Sequence, residues 1–307
     1  MNIKKWVVLP LNKERAAELS RSYELPFFLA MMLEIRGIRT REQIEALLQE
    51  DADFFDPLLL PDMEKAVDRI RRAVDEMERI AVYGDYDADG VTSTAILYSY
   101  LELCGADVMF YIPEREGEGY GMNTGAIDTL HERGVRLIVT VDNGIASVRE
   151  VEYAKSLGID VVITDHHRPQ EQLPQAVAVV DPFRRDCDLP YKYFSGVGVA
   201  FKLITALEGP DCDMQALLDN YADLVAIGTI GDVVPLEGEN RILVKKGLKL
   251  IAQSDRLGLH CLLEHAGAAD RTPTAGNVAF TIVPRINATG RIGSPDRAVR
   301  LLVSEDP

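Results

Sequence analysis

Asp85, Asp87 and Asp89 stand at alternate positions in VYGDYDADGVTS (82–93), directly after an apolar run and directly before a glycine. Carboxylates packed this closely repel, and one of them takes up a proton unless positive charge lies among them. A divalent metal ion is the usual remedy. Further along, VTVDNG offers Asp142 and Asn143, VITDHH offers Asp165, His166 and His167, AVAVVD ends on Asp181, and Arg115 follows VMFYIPE. Carboxylate oxygens with imidazoles and no thiolate suit hard or borderline ions, manganese or magnesium, rather than structural zinc. Four or more carboxylates carry more charge than one divalent ion balances. Two ions sharing an aspartate would balance it, as in in-line displacement at phosphorus. Asp142, lying between the two ligand groups in sequence, is the candidate bridge.

Each element also has a plainer reading. Asp-x-Asp-x-Asp-Gly opens an EF-hand calcium loop, but that loop needs a glutamate six residues after its glycine, where this chain has Ile96. A helix should also precede it, and IAVYG is strand-like. A single aspartate at a strand end is more often a helix cap or turn former than a ligand. His131, His260 and His265 fall within helical patterns without a partner and read as structural, whereas adjacent His166 and His167 at a strand end have no packing role to fill.

The elements that must position these groups are legible in the hydrophobic pattern. Short β-rich runs at 80–84, 108–112, 137–141, 161–164 and 176–180 alternate with helix-like stretches at 91–103, 123–133, 146–157 and 169–173. Continuous rather than alternating hydrophobicity implies strands buried on both faces, so the fold class is α/β with a parallel β-sheet flanked by helices. Every candidate polar residue then falls at the carboxyl end of a strand, where ligands bind in such sheets. Residues 1–61 read as a helical lead-in ending in the proline-punctuated linker DADFFDPLLLPD, and 63–79 as an amphipathic helix. Residues 62–234 read as the catalytic α/β domain and 235–307 as a mainly helical extension.

Composition is that of a globular protein with a sizeable core, at 47% hydrophobic and 27% charged residues. A net charge of −16 speaks against a nucleic-acid partner, because phosphate contacts favour a basic footprint; the basic groups FRR (183–185) and VKKGLK (244–249) and the arginines from 285 to 300 are the local exceptions. Four scattered cysteines without a Cys-x-x-Cys pair read as reduced thiols. With no signal peptide and no apolar run of membrane-spanning length, the expected location is the cytoplasm, with no membrane partner.

GDYDADG, VDNG, DHH and IGTIGDVVPL (227–236), in that order, resemble the motifs of the DHH phosphoesterase superfamily. YIPEREGEGYGMN (111–123), FSGVGVAFKL (194–203) and PRINATGRI (284–292) are similar to the RecJ-like exonucleases within it. The resemblance covers essentially the whole chain. It implies 5′-to-3′ removal of nucleotides from single-stranded DNA in repair and recombination, with two divalent ions, Mn²⁺ or Mg²⁺, and repair or replication proteins as partners. By position it makes Asp87, Asp89, Asp142, His166 and Asp232 metal ligands, with Asp85 and Asp165 as further candidates. Asp142, His166 and His167 are the catalytic set, and Arg115, Arg285, Asn287 and Arg291 the substrate-binding one. It also implies a second domain and an oligonucleotide-binding fold beyond the end of this sequence. Two rivals stand beside it: a DHH phosphodiesterase acting on short oligonucleotides or cyclic dinucleotides, and a non-cleaving DNA-binding or replication scaffold.

Overall fold

The computed structural model describes residues 9–48, 54–114, 121–269, 273–292, 294 and 296–305. The chain forms two compact units, Met1–Asp53 and Phe54–Pro307. In the smaller, helices α1 (Lys13–Ser22), α2 (Phe27–Ile35) and α3 (Arg41–Leu48) close over Leu19, Ala30, Leu33 and Ile44. Residues 54–61, read from sequence as linker, lie in the larger unit, with a 3₁₀ turn at Pro57–Leu59 and Leu60 buried.

The larger unit is built on five parallel strands: β1 (Ile80–Tyr83), β2 (Val108–Tyr111), β3 (Leu137–Val141), β4 (Asp160–Thr164) and β5 (Ala178–Val180). All five fall on the runs expected from hydrophobicity. Their spatial order is β2-β1-β3-β4-β5. The chain leaves β1 toward β2, then crosses back past β1 to lay down β3. The direction of winding therefore reverses between β1 and β3, and a crevice opens beyond their carboxyl ends, the place where open α/β sheets bind ligands.

Both faces of the sheet are covered. Val82, Val139, Val162 and Val180 share a core with α4 (Met63–Asp75), α5 (Ala88–Leu103), α8 (Gly196–Glu208) and α9 (Met214–Gly231). Ala81, Tyr83, Ile138 and Ile163 point the other way, onto α6 (Thr124–Glu132) and α7 (Val148–Ser156). Residues 169–173 do not form the helix expected from sequence. Pro169 and Pro174 bracket them, and a proline forces the residue before it out of helical geometry.

From α8 onward the described chain is helical, through α10 (Gly238–Ile251), α11 (Leu257–His265), α12 (Ala275–Asn277), a π-turn at Val278–Ile282, α13 (Val283–Ile292) and α14 (Asp296–Val303). These helices belong to the same compact unit as the sheet. Among the described residues no helix is long and apolar enough to cross a membrane.

One polar clamp ties α8 to α10. Lys202 Nζ lies 2.7 Å from Glu239 Oε2 and donates to the Phe55 carbonyl at 2.6 Å, and both charged side chains are almost fully buried. Removing one partner strands a buried charge, so Lys202→Met should destabilise the fold by about 3–5 kcal/mol in urea unfolding. Lys202→Met/Glu239→Leu should recover most of that loss. Equal midpoints for the single variant and the parent would show that the pair carries no such burden.

Candidate metal centre

The crevice is lined by groups that four segments deliver. Asp87 caps α5, accepting the N–H groups of Asp89 (2.9 Å) and Gly90 (3.0 Å). This fixes the aspartate loop at a helix N-terminus, where partial positive charge favours carboxylates. Asp89, in the first turn of α5, is buried, and its two oxygens accept the Gly196 N–H (2.6 Å) and the Val197 N–H (2.9 Å) at the start of α8. Asp142 leaves β3 in the left-handed region, φ 62°, a conformation aspartate tolerates better than most residues. Asp232 caps the end of α9, and the next residue, Val233, takes φ 63° while 84% exposed. A β-branched residue held so costs on the order of 1–3 kcal/mol, strain of the kind that gathers at functional sites.

Glycine makes the close approach feasible. A Cβ on Gly196 would lie 2.5–2.7 Å from the side-chain atoms of Asp142, and one on Gly228 would lie 2.8 Å from Asp89 Oδ1. The glycines of FSGVGVAFKL and IGTIGD are thus where α8 and α9 press against the carboxylates.

His166 is the hub. Its Nε2 lies 3.0 Å from Asp142 Oδ1 and 3.7 Å from Asp89 Oδ2, and its Nδ1 lies 3.6 Å from Asp232 Oδ2. His166 Nε2 and Asp142 Oδ1 are close yet not aligned for a hydrogen bond, and both are buried without a partner, as is Asp85 Oδ1. Three buried lone-pair atoms left unsatisfied in one crevice are what a bound cation would explain. Three sets of ligand atoms come within 4.8 Å of one another: Asp85, Asp87 and Asp142; Asp89, His166 and Asp232; and Asp142, His166 and His167. Asp142 is common to the first and third. Carboxylates with imidazole and no thiolate are a donor set for Mn²⁺ or Mg²⁺.

The electrostatics fit the same demand. Burial, reinforced by Asp87, pushes Asp85 up to about 7. Burial likewise brings Asp89 to about 7, with Asp232 and Asp87 adding to the rise. Asp142 is raised well above the carboxylate range by burial and then by Asp89, Asp87 and Asp85, and Asp232 is raised by burial. Burial opposes protonation of His166, but Asp89 and Asp232 carry it upward. All these shifts run in the direction that favours protons in the crevice, which a divalent ion would displace.

Asp165, a less certain ligand from the sequence, has both oxygens engaged by donors of the chain. One oxygen accepts the N–H of His166 (2.7 Å), the N–H of His167 (3.1 Å) and the His167 Nδ1–H (2.7 Å), and the other accepts the Ile145 N–H (2.9 Å). Although burial works the other way, His167 and these backbone donors hold it below its ordinary value. Asp165 belongs to none of the three ligand sets; one oxygen fixes the backbone of His166 and the backbone and ring of His167, and the other holds the Ile145 N–H. Partners of this kind typically tune metal affinity by about ten- to a hundredfold. Asp165→Asn should therefore weaken Mn²⁺ binding in a calorimetric titration by about that factor. An unchanged affinity would assign Asp165 to the turn alone.

The other expected residues are placed as follows. Arg115 lies outside the described residues. Arg285, Asn287 and Arg291 lie on α13, which runs against the aspartate loop: a Cβ on Gly290 would sit 3.2 Å from Tyr86. Arg285 and Arg291 are exposed, and Asn287 Oδ1 is buried without a partner. None of the three joins the ligand sets. Asp181 is fully buried, accepts the Phe183 N–H at 2.6 Å, and stands outside those sets too. Asn143 donates to the carbonyls of Tyr83 and Val141, a turn role. His260 and His265 make local contacts on α11, with Glu264 and the Cys261 carbonyl.

The DHH family, N-terminal domain, matches residues 79–229. The chain is 44% identical over 303 residues to the single-stranded-DNA-specific exonuclease RecJ of Bacillus subtilis, across 98% of this chain and 38% of that protein. To the Escherichia coli enzyme of the same name it is 40% identical over 294 residues, 92% of this chain and 50% of that one. It thus spans half or less of the length of these relatives. The structure of RecJ in complex with Mn²⁺ from Thermus thermophilus superposes with a TM-score of 0.78 at 36% identity, covering 98% of this chain and 42% of that one. A second structure, of exonuclease RecJ bound to manganese, gives 0.72 at 42% identity, covering 80% and 62%.

Proposed function

The chain belongs to the DHH family, in its RecJ group, and from that premise we propose that it is the metal-dependent catalytic portion of an exonuclease that removes nucleotides 5′-to-3′ from single-stranded DNA in repair and recombination. The observation that carries the reading is the place of Asp142, which joins Asp85 and Asp87 in one set of ligand atoms while its Oδ1 lies 3.0 Å from His166, the centre of the set with Asp89 and Asp232; that oxygen and one of Asp85 are buried and unpartnered. In this reading Asp85, Asp87 and Asp142 would hold one divalent ion and Asp89, His166 and Asp232 the other, with Asp142, beside His166, the candidate to serve both. Two such ions supply Lewis acidity toward a phosphodiester and lower the proton affinity of water beside it.

The chain's own residues do the rest. Asp89, clamped by the α8 backbone, and Asp87, locked as a cap, hold the ligand sets rigid, so that little reorganisation is left for the reaction. His167 presents its Nε2 because Nδ1–H is committed to Asp165. Its proton affinity, raised first by that hydrogen bond against the pull of burial, favours the imidazolium, which would suit a phosphate oxygen. Arg285 and Arg291 are forks able to grip phosphates bidentately, with Asn287 between them on α13. Arg115 is assigned the 5′-phosphate. Residues 62–234 form the catalytic portion and 235–307 the extension that leads toward the further length of the relatives. Repair or replication proteins are the partners this reading expects.

The test is Mn²⁺-dependent nucleotide release from 5′-phosphorylated single-stranded DNA, with a duplex and a dinucleotide run alongside. Release from the single strand alone supports the exonuclease. Hydrolysis of the dinucleotide alone would replace it with a short-substrate phosphodiesterase. Binding of single strands with no release in any metal would favour a non-cleaving scaffold.

A further inference from the structure

The segments that follow β4 and β5 form a cleft of about 260 Å³, lined by Arg168, Glu171, Leu173, Phe183, Arg184 and Arg185 among others. Its lining joins the candidate metal centre along the chain: Arg168 is the next residue after His167, and Asp181, at the end of β5, accepts the Phe183 N–H at 2.6 Å. Three arginines face one glutamate here, in a chain with 49 acidic and 33 basic residues.

The arginines divide the work. Arg184 is the floor: its guanidinium reaches Asp62 at 2.5 Å, the Val179 carbonyl at 2.5 Å and Asp186 at 2.7 Å. That network fixes the loop. Arg168 and Arg185 are exposed and, among the described residues, make no ion pair with a carboxylate. The Arg168 guanidinium lies over the Phe183 ring, 5.4 Å from its centroid. Tyr193, half exposed, meets Phe183 edge-on at 5.8 Å, and Tyr191 meets Tyr193 at 6.0 Å. Arginines without a carboxylate partner, interleaved with the half-buried Phe183 and the half-exposed Tyr193, form the kind of surface on which a single strand lies, phosphates on guanidinium groups and bases against rings, without regard to sequence.

We propose that this cleft is a subsite for the nucleotides of a single strand that lie beyond the bond at the metal centre, with Arg168 and Arg185 taking phosphates and Phe183 a base. The proposal rests on the exonuclease reading and adds to it the route by which the strand leaves the crevice, over the β4–β5 side of the sheet.

The test is binding of a fluorescent phosphorothioate oligothymidylate, which resists cleavage, to this chain in Mn²⁺ over a range of salt. Arg168→Ala/Arg185→Ala should weaken binding by at least about tenfold and reduce the slope of log affinity against log salt by about 1.4, since each phosphate no longer neutralised lowers it by about 0.7. Phe183→Leu, which keeps an apolar side chain against Tyr193, should weaken binding by about tenfold with the slope unchanged. If the parent chain binds the oligonucleotide and the double variant binds it with equal affinity and slope, the subsite is overturned and the exonuclease reading stands. If the parent chain neither binds nor cleaves single strands, both fall together.

Discussion

Asp142→Asn is expected to lower Mn²⁺-dependent nucleotide release from single-stranded DNA by about 10³-fold or more, the scale on which losing one preorganised charged group acts in an active site. Asparagine is the informative choice. It keeps the size of the side chain and tolerates the left-handed backbone at φ 62°, so the turn after β3 is preserved. What it removes is a negative charge that burial and four neighbouring aspartates make costly to hold. The metal-free variant should therefore melt at the same temperature as the parent chain or above it, while activity disappears. A parallel loss of stability and activity would make Asp142 a structural residue. Retention of activity would remove the shared aspartate from the mechanism.

Gly196→Ala is expected to damage both activity and stability. The added methyl would meet Asp142 at 2.5–2.7 Å, and the Gly196 N–H is the group that holds Asp89 at 2.6 Å. Neither neighbour is the free end of a flexible chain, so α8 must retreat and take a ligand with it. Overpacking of this kind costs about 1–3 kcal/mol, and a displacement on the order of 1 Å at a reacting centre costs about 10²-fold in rate. Gly198→Ala is the matched control on the same helix. Its methyl would find ordinary contacts of 3.4–3.5 Å with Ser195 and Phe194, and helix propensity favours alanine. Circular dichroism melts with nucleotide-release assays on the pair would check this. Equal behaviour of the two variants would show that close packing against Asp142 is not what the glycine serves.

The sheet was legible because its strands are parallel and covered on both faces. Such strands read as unbroken apolar runs, and LIVTV appears as β3 at the bounds expected of it. The aspartates and histidines were legible for a related reason: each interrupts such a run at its carboxyl end. Asp232 was not, because it closes an apolar helix far along the chain, and only resemblance singled it out. Asp165 was a less certain ligand in the sequence, which shows a carboxylate's position but not the donors that surround it, here the His167 ring and three backbone N–H groups. The stretch 169–173 looked helical by composition, yet its flanking prolines decide otherwise. The roles of Gly196 and Gly228 were hidden because a glycine's function in a helix depends on what approaches it. The net charge of −16, which seemed to speak against a nucleic-acid partner, includes five aspartates gathered in one crevice whose charge two divalent ions would nearly balance.

The central claim is that this crevice holds two divalent ions through a shared aspartate. The most direct measurement is a calorimetric titration of Mn²⁺ into the metal-stripped chain, with Asp142→Asn in parallel. The account predicts two ions bound to the parent chain, protons released as they bind, and at least one ion lost in the variant. No binding, or the same stoichiometry and affinity in both proteins, would contradict it.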